Sequence, residues 1–253
     1  MKFQVIIFSF VLLTSCAVNE YYQVYKTTSL EAKETPENIV FEDANCEIYY
    51  NLWSDGGDPG FDIFNKSDSD ITIMLSKSFF ILNGVAYEYF QNRIFSKSIN
   101  SSATIASNYY PVNFNVHKVS GTNGASLSTA FIEKSDLTIP AKTKIRISEF
   151  HISTTRIVNC DLSKFPTKKT MKTLYFNEEN SPIVFYNLIT YSTPNDTLRI
   201  ENNFFVNEIT NYPASYMFTT IDTSFCGKEL EEPINVFINP DADKFYIKYF
   251  KSK

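Results

Sequence analysis

Cys46-Glu47-Ile48-Tyr49-Tyr50-Asn51-Leu52-Trp53 is the stretch whose reading decides the fold. Cys46, Ile48, Tyr50 and Leu52 alternate with Glu47, Tyr49, Asn51 and Trp53, and a period of two places the first set on one face of a pleated strand. Asp55-Gly56-Gly57-Asp58-Pro59-Gly60 then demands a reversal, since glycine admits positive φ and proline fixes its own, so residues 61–65 are expected to return as a second strand. Lys66-Ser67-Asp68-Ser69-Asp70 is a further polar turn, followed by Ile71, Ile73 and Leu75 alternating with Thr72, Met74 and Ser76. Residues 79–82 and 85–90 flank Asn83-Gly84, the strongest short signal for a hairpin. The composition agrees, with 23 Phe and 16 Tyr against 7 Gly, because aromatic side chains suit pleated, half-buried surfaces.

Further along, Leu137-Thr138-Ile139-Pro140 restores order, and Ile145 and Ile147 alternate with Lys144, Arg146 and Ser148 as a strand with one wet face. Residues 182–191, 198–206, 216–220 and 244–249 also read as strands, the last with Phe245, Ile247 and Tyr249 on one face. No stretch has a helical period, and residues 221–232 are allotted one short turn. Residues 92–129, rich in Ser, Asn and Thr, read as a long mobile loop, and loops of that length are usually functional or disordered. The expected organisation is an all-β, antiparallel immunoglobulin-like sandwich over residues 37–165, continued by a β-rich C-terminal lobe over residues 166–253 that either shares its core or is set apart at the basic turn Lys164-Phe165-Pro166-Thr167-Lys168-Lys169.

The N-terminus decides location. Lys2 precedes an apolar run over residues 3–13 that only Gln4 and Ser9 interrupt, far short of the roughly 20 residues of a spanning helix. Residues 1–15 are therefore read as a signal peptide. Leu13-Thr14-Ser15-Cys16 resembles the bacterial lipobox, whose processing makes the cysteine the acylated N-terminus. The resemblance implies lipidation of Cys16 by diacylglycerol and palmitate-type chains, with the membrane as a partner, and three chains on one residue attach effectively permanently. Ala17 stands where an inner-membrane retention aspartate would be, so the outer membrane is the expected location. Residues 16–36 are expected to be the lipidated tether, although Tyr21-Tyr22-Gln23-Val24-Tyr25 is β-prone enough for part of it to dock as a strand.

Two wider resemblances follow from particular residues. The run from Gly60 to Ile71 with Asn65-Lys66-Ser67-Asp68 at its turn, followed by Ser78-Phe79-Phe80-Ile81-Leu82-Asn83-Gly84, resembles hairpins of immunoglobulin-like domains in exported bacterial proteins. Ser15-Cys16, Tyr22-Gln23-Val24-Tyr25-Lys26, Asn45-Cys46, Phe165-Pro166-Thr167-Lys168-Lys169 and Glu208-Ile209-Thr210-Asn211-Tyr212-Pro213 together are similar to uncharacterised exported lipoproteins of Bacteroidota. That family implies location and an immunoglobulin-like β-sandwich, and it lends no catalytic residues.

Charge and cysteines narrow the partners. The net charge of −5 becomes one unit more negative when Lys2 is removed, which argues against nucleic acid, because phosphate neutralisation needs clustered Lys and Arg. Cys46, Cys160 and Cys226 remain after lipidation, an odd count that leaves one thiol over. Cys160 with Cys226 is the candidate disulfide, since Cys46 sits in an apolar strand, where a thiol behaves as a small hydrophobe.

Candidate chemistry is sparse. The two histidines, His117 and His151, come without a Gly-x-Ser-x-Gly nucleophile motif, and a triad needs a pre-organised base. Asp55/Asp58, Asp68/Asp70 and Asp241/Asp243 are the carboxylate pairs a glycan hydrolase would use, yet all lie in turn-forming contexts. The same acids could bind calcium through loop oxygens, but none matches the EF-hand spacing, and no cofactor or metal is assigned. Trp53, Tyr109, Tyr110 and Phe114 are the candidate ligand contacts, as flat aromatic faces stack on sugar rings. Asp196-Thr197-Leu198 resembles the O-glycan acceptor motif of Bacteroidota, which implies modification at Thr197. The expected function is a non-catalytic, membrane-tethered binding or envelope accessory module, its partner a glycan or an envelope protein. A carboxylate-based glycan hydrolase and a structural subunit of an envelope complex are the alternatives.

Overall fold

The computed structural model of the chain describes residues 20–99, 115–118, 127–221, 224–225, 228–229 and 233–251. Among them, a nine-stranded sheet runs in the order β12 (Asp136–Ile139), β6 (Ile71–Met74), β15 (Val184–Ser192), β16 (Thr197–Pro213), β1 (Glu20–Thr28) and β21 (Lys244–Phe250). Beside β15 lies β7 (Phe79–Leu82), which pairs with β8 (Val85–Glu88), and β14 (Thr173–Tyr175) pairs with β16. A five-stranded sheet packs against it in the order β13 (Lys144–Ile147), β5 (Phe61–Asn65), β4 (Cys46–Tyr50), β3 (Ile39–Glu42) and β2 (Lys33–Glu34). Three strands, β9 (Ile94–Ile99), β10 (Asn115–Lys118) and β11 (Leu127–Ile132), form a separate small sheet. Two ribbons complete the set, β17 (Phe218–Ile221) with β20 (Ile234–Phe237) and β18 (Ser224–Phe225) with β19 (Lys228–Glu229). The molecule is an all-β, antiparallel sandwich, curled into a half-barrel.

The alternation at 46–52 does what its period requires. Cys46, Ile48, Tyr50 and Leu52 are buried while Glu47 and Tyr49 are partly exposed. Phe204 of β16 joins the two layers, its ring 5.5 Å from Phe41, 5.1 Å from Tyr50 and 5.0 Å from Phe185. The first two are edge-to-face and the third is stacked, and aromatic pairs of these kinds add roughly 0.5–1.5 kcal/mol to what burial alone contributes. Tyr89 donates to Asn187 Oδ1 at 2.6 Å, and Asn187 Nδ2 donates to the Pro59 carbonyl at 2.8 Å, so buried polar bonds also cross the core.

Strand β1 is built into the body. Its residues pair with β16 on one edge and β21 on the other, and Tyr25 is fully buried, stacked on Phe245 with centroids 4.5 Å and planes 2° apart. The β-prone part of the expected tether docks as a strand: Tyr22, Gln23, Tyr25 and Thr27 are buried, and a strand with that much buried surface is held by the sheet. The sheet does not divide at residue 165, since β6, β7, β8 and β12 lie in it alongside β14, β15, β16 and β21. Residues 37–165 and 166–253 therefore share one core.

The turn at residues 66–70 does not close a hairpin. β5 belongs to the five-stranded sheet and β6 to the nine-stranded one, so the chain changes layers there, and β12 and β13 make the reverse crossing alongside. Asn65 holds this corner: fully buried, it donates to the carbonyls of Ser69 at 2.8 Å and Ile139 at 3.0 Å. The Asn83-Gly84 turn is as expected, with φ of 48° and 82°. The long loop expected over 92–129 contains β9, β10 and the start of β11, because Ser and Thr serve in a pleated strand as well as in a loop. Residues 100–114 and 119–126 lie outside the described residues.

Candidate functional site

The residues nominated by sequence scatter over the molecule. Cys16, Tyr109, Tyr110, Phe114 and Cys226 lie outside the described residues, and with Cys226 so does the Cys160–Cys226 pairing; Cys160 itself is exposed. Cys46 is fully buried, and burial pushes its thiol well above the usual range. Trp53 is half-buried against Phe237, at 5.0 Å, and Tyr246, at 5.1 Å. Its ring packs under the β17–β20 ribbon. Thr197 is exposed at the first position of β16, beyond a turn closed by the Thr193 N–H donating to the Asp196 carbonyl at 2.8 Å. His151 is exposed beside Gly56, and the His117 side chain is not among those described.

Most of the paired carboxylates have partners within the fold, while Asp68 pairs with Lys142 at the exposed surface. Asp58 accepts from the Gly60 N–H at 2.8 Å and the Ser148 hydroxyl at 2.9 Å, and it pairs with Arg146 at 2.8 Å. Asp55 accepts from the Lys248 N–H at 3.3 Å, beside the parallel bridge that ties the glycine loop to β21. Asp70 accepts from the Ala141 N–H at 3.1 Å, and Asp68 pairs with Lys142 at 2.9 Å. Asp241 pairs with Lys244. Burial raises the carboxyl of Asp243 above its ordinary value, with Lys244 and Lys26 opposing. Among the described residues no group of three or more His, Cys, Asp or Glu side chains is placed to hold a metal ion.

Two surface features were not assembled by sequence reasoning. The first is a cavity of about 170 Å³ where β3 and β4 face β16. Its walls include Phe41, Ile48 and Ile200, and Glu31, Glu42 and Glu201 are exposed side chains that line it. Asp43 also lines it and is tightly held: it accepts from the Tyr191 hydroxyl at 2.6 Å and from the N–H groups of Cys46 at 2.7 Å and Asn45 at 2.8 Å. Burial alone would raise its carboxyl, but those three donors outweigh burial and keep it below its ordinary value. Asn202, another wall residue, accepts from the Tyr50 hydroxyl at 2.7 Å, and its buried Nδ2 has no partner among the described residues. The arrangement combines apolar walls with carboxylates that accept hydrogen bonds. Its volume lies below the roughly 300–1,000 Å³ of pockets that enclose whole drug-sized ligands, so it suits one end group of a larger ligand.

The second is an aromatic and basic surface where β1 begins. The loop after β13 is latched onto this end of the nine-stranded sheet: Gln23 Nε2 donates to the Ile157 carbonyl at 2.9 Å, the Ile157 N–H donates back to Gln23 Oε1 at 2.6 Å, and Asn211 Nδ2 donates to the Ser163 carbonyl at 2.9 Å. The Tyr249 hydroxyl adds a bond to the Lys164 carbonyl at 2.7 Å. The sequence signal for this feature was the basic turn at 164–169, which is a fixed part of the body. Among the described residues no helix is long and apolar enough to cross a membrane. Comparison of the chain with protein-family models, with curated proteins and with solved structures finds no match.

Proposed function

We propose that the protein is a non-catalytic, lipid-anchored module of the outer membrane whose body binds a glycan or an envelope protein, in keeping with its resemblance to exported lipoproteins of Bacteroidota. One observation carries the reading: Cys16, behind Leu13-Thr14-Ser15, stands four residues ahead of a strand built into the sheet. Such an arrangement converts an acyl anchor into direct attachment of the folded body. What favours binding over hydrolysis is that Asp55, Asp58, Asp70 and Asp241 each have a partner within the fold. The cavity beside β16, with exposed Glu31 and Glu201 as hydrogen-bond acceptors, supplies a place for a hydroxyl-rich end group.

Metabolic labelling with a palmitate analogue tests the anchor: wild type should carry label and fractionate with the outer membrane, and Cys16→Ala should be unlabelled and released. An unlabelled wild type would end this reading. For the ligand, the mature body is screened on a glycan array and by cross-linking in the envelope. Binding that weakens in Glu201→Ala with Glu31→Ala supports the cavity, and silence in both screens counts against a binding module.

A further inference from the structure

Four residues fully extended span at most about 14 Å, so an acylated Cys16 would bring the opening of β1 at Glu20 down to the bilayer surface. Three strand ends meet there. Glu20 lies opposite Phe250 and Tyr21 opposite Tyr249 at the end of β21, while Tyr21 also lies opposite Pro213 at the end of β16. The Tyr21 ring touches those of Phe165, at 5.1 Å, and Tyr249, at 5.7 Å. Lys164 and Lys251 place their ammonium groups 5.0 and 5.6 Å over the Phe165 ring, and Phe250 is 51% exposed.

The charge of this end runs against that of the chain. Residues 156–172 carry Arg156, Lys164, Lys168, Lys169 and Lys172 against Asp161 alone, although the protein as a whole is acidic at −5. Glu20, the carboxylate at the start of β1, is taken up by Lys248 at 3.0 Å. Lys164, Lys168 and Lys169 are exposed: Tyr249 fixes the backbone at Lys164, and the Lys168 ammonium lies 5.9 Å over the ring of Tyr216, just past the end of β16. Aromatic rings flanked by long cationic side chains suit the headgroup layer, where the ring takes the apolar side and the ammonium reaches phosphate.

We propose that this end of the sheet is a membrane-docking face, which lies on anionic phospholipid headgroups and sets the orientation of the body. The proposal rests on the lipid-anchor reading for what delivers the face to the bilayer, and on ring contacts and charge for what binds there.

The test uses the whole mature chain carrying Cys16→Ala, so that no acyl chain contributes, sedimented with vesicles of phosphatidylcholine alone or mixed equally with phosphatidylglycerol. Binding is expected to the mixed vesicles and not to phosphatidylcholine. It should be lost at roughly 1 M salt, where the screening length falls to about 3 Å. Each cation near an anionic surface strengthens attachment roughly fivefold, so Lys164→Gln with Lys168→Gln and Lys169→Gln should weaken partitioning by about a hundredfold, with the urea midpoint unchanged because all three side chains are exposed. No binding to mixed vesicles, equal binding to both kinds, or binding indifferent to the three substitutions overturns the proposal. Palmitate labelling of the wild type reads the anchor separately. Label without vesicle binding removes the docking face alone; vesicle binding without label upholds the face and removes the anchor.

Discussion

Replacing Tyr25 by alanine separates a central strand from a tether. Tyr25 is fully buried, stacked on Phe245 at 4.5 Å, and its hydroxyl donates to Gln23 while accepting from the Ile157 N–H at 3.0 Å. Emptying a buried aromatic site of this size costs about 3–5 kcal/mol, a large part of the roughly 5–15 kcal/mol that holds a domain. With a urea slope of about 3 kcal/mol/M, the midpoint should fall by about 1–2 M. Tyr25→Phe keeps the stack and loses only the hydroxyl's bonds, so it should cost about 1 kcal/mol. Tyr175→Ala, at a side chain 73% exposed, is the control and should stay within about 0.5 kcal/mol. Equilibrium urea unfolding followed by tyrosine and tryptophan fluorescence measures all three. A Tyr25→Ala midpoint indistinguishable from the control would refute the placement of β1 within the sheet.

Two other outcomes follow from buried polar groups. Asn65→Leu removes the donor to Ser69 and Ile139 at the corner where the chain changes sheets; buried carbonyls left unpaired cost about 1–3 kcal/mol each, so the urea midpoint should drop, and a neutral effect would contradict the corner's role. Asp43 and Glu133 sit below their ordinary values in the folded state: burial opposes this in both, and it is outweighed by Tyr191 with the Cys46 and Asn45 N–H groups at Asp43 and by Arg93 with the Arg93 and Gln91 N–H groups at Glu133. A depressed carboxylate stabilises fully above its unfolded value and loses that contribution as pH falls through the folded one, so urea midpoints should decline on the acid side of 3.8 for Asp43 and 4.5 for Glu133. Asp43→Asn should flatten this decline, and an unchanged acid limb would remove Asp43 from the account.

What the sequence disclosed was local. The alternation of Cys46, Ile48, Tyr50 and Leu52 and the Asn83-Gly84 turn are set by neighbours one or two residues away, and both appear as expected. Which sheet a strand joins is a long-range matter: nothing in residues 61–75 distinguishes a hairpin from a change of layer, since β5 and β6 alternate equally well in either. β16 runs on to Pro213 through Asn207 and Glu208 because Thr210 and Asn211 are buried polar residues with partners, Thr173 and Ser163, from distant segments. The same limit hid both surface features. Glu31, Asp43 and Asn202 are brought to one cavity from three places in the chain, and the basic turn at 164–169 gained its setting only when Tyr21 and Tyr249 were placed beside Phe165. The Cys16 motif could be read from the sequence because it is contiguous, and it lies outside the described residues.

The attachment of the body through Cys16 is the central claim, and the mass of the mature N-terminus tests it most directly. Protein purified from membranes and analysed intact should begin at Cys16 and carry the added mass of a thioether-linked diacylglycerol, with the Cys16→Ala chain lacking it. A mature chain that begins elsewhere, or that begins at Cys16 with an unmodified thiol, would contradict the account.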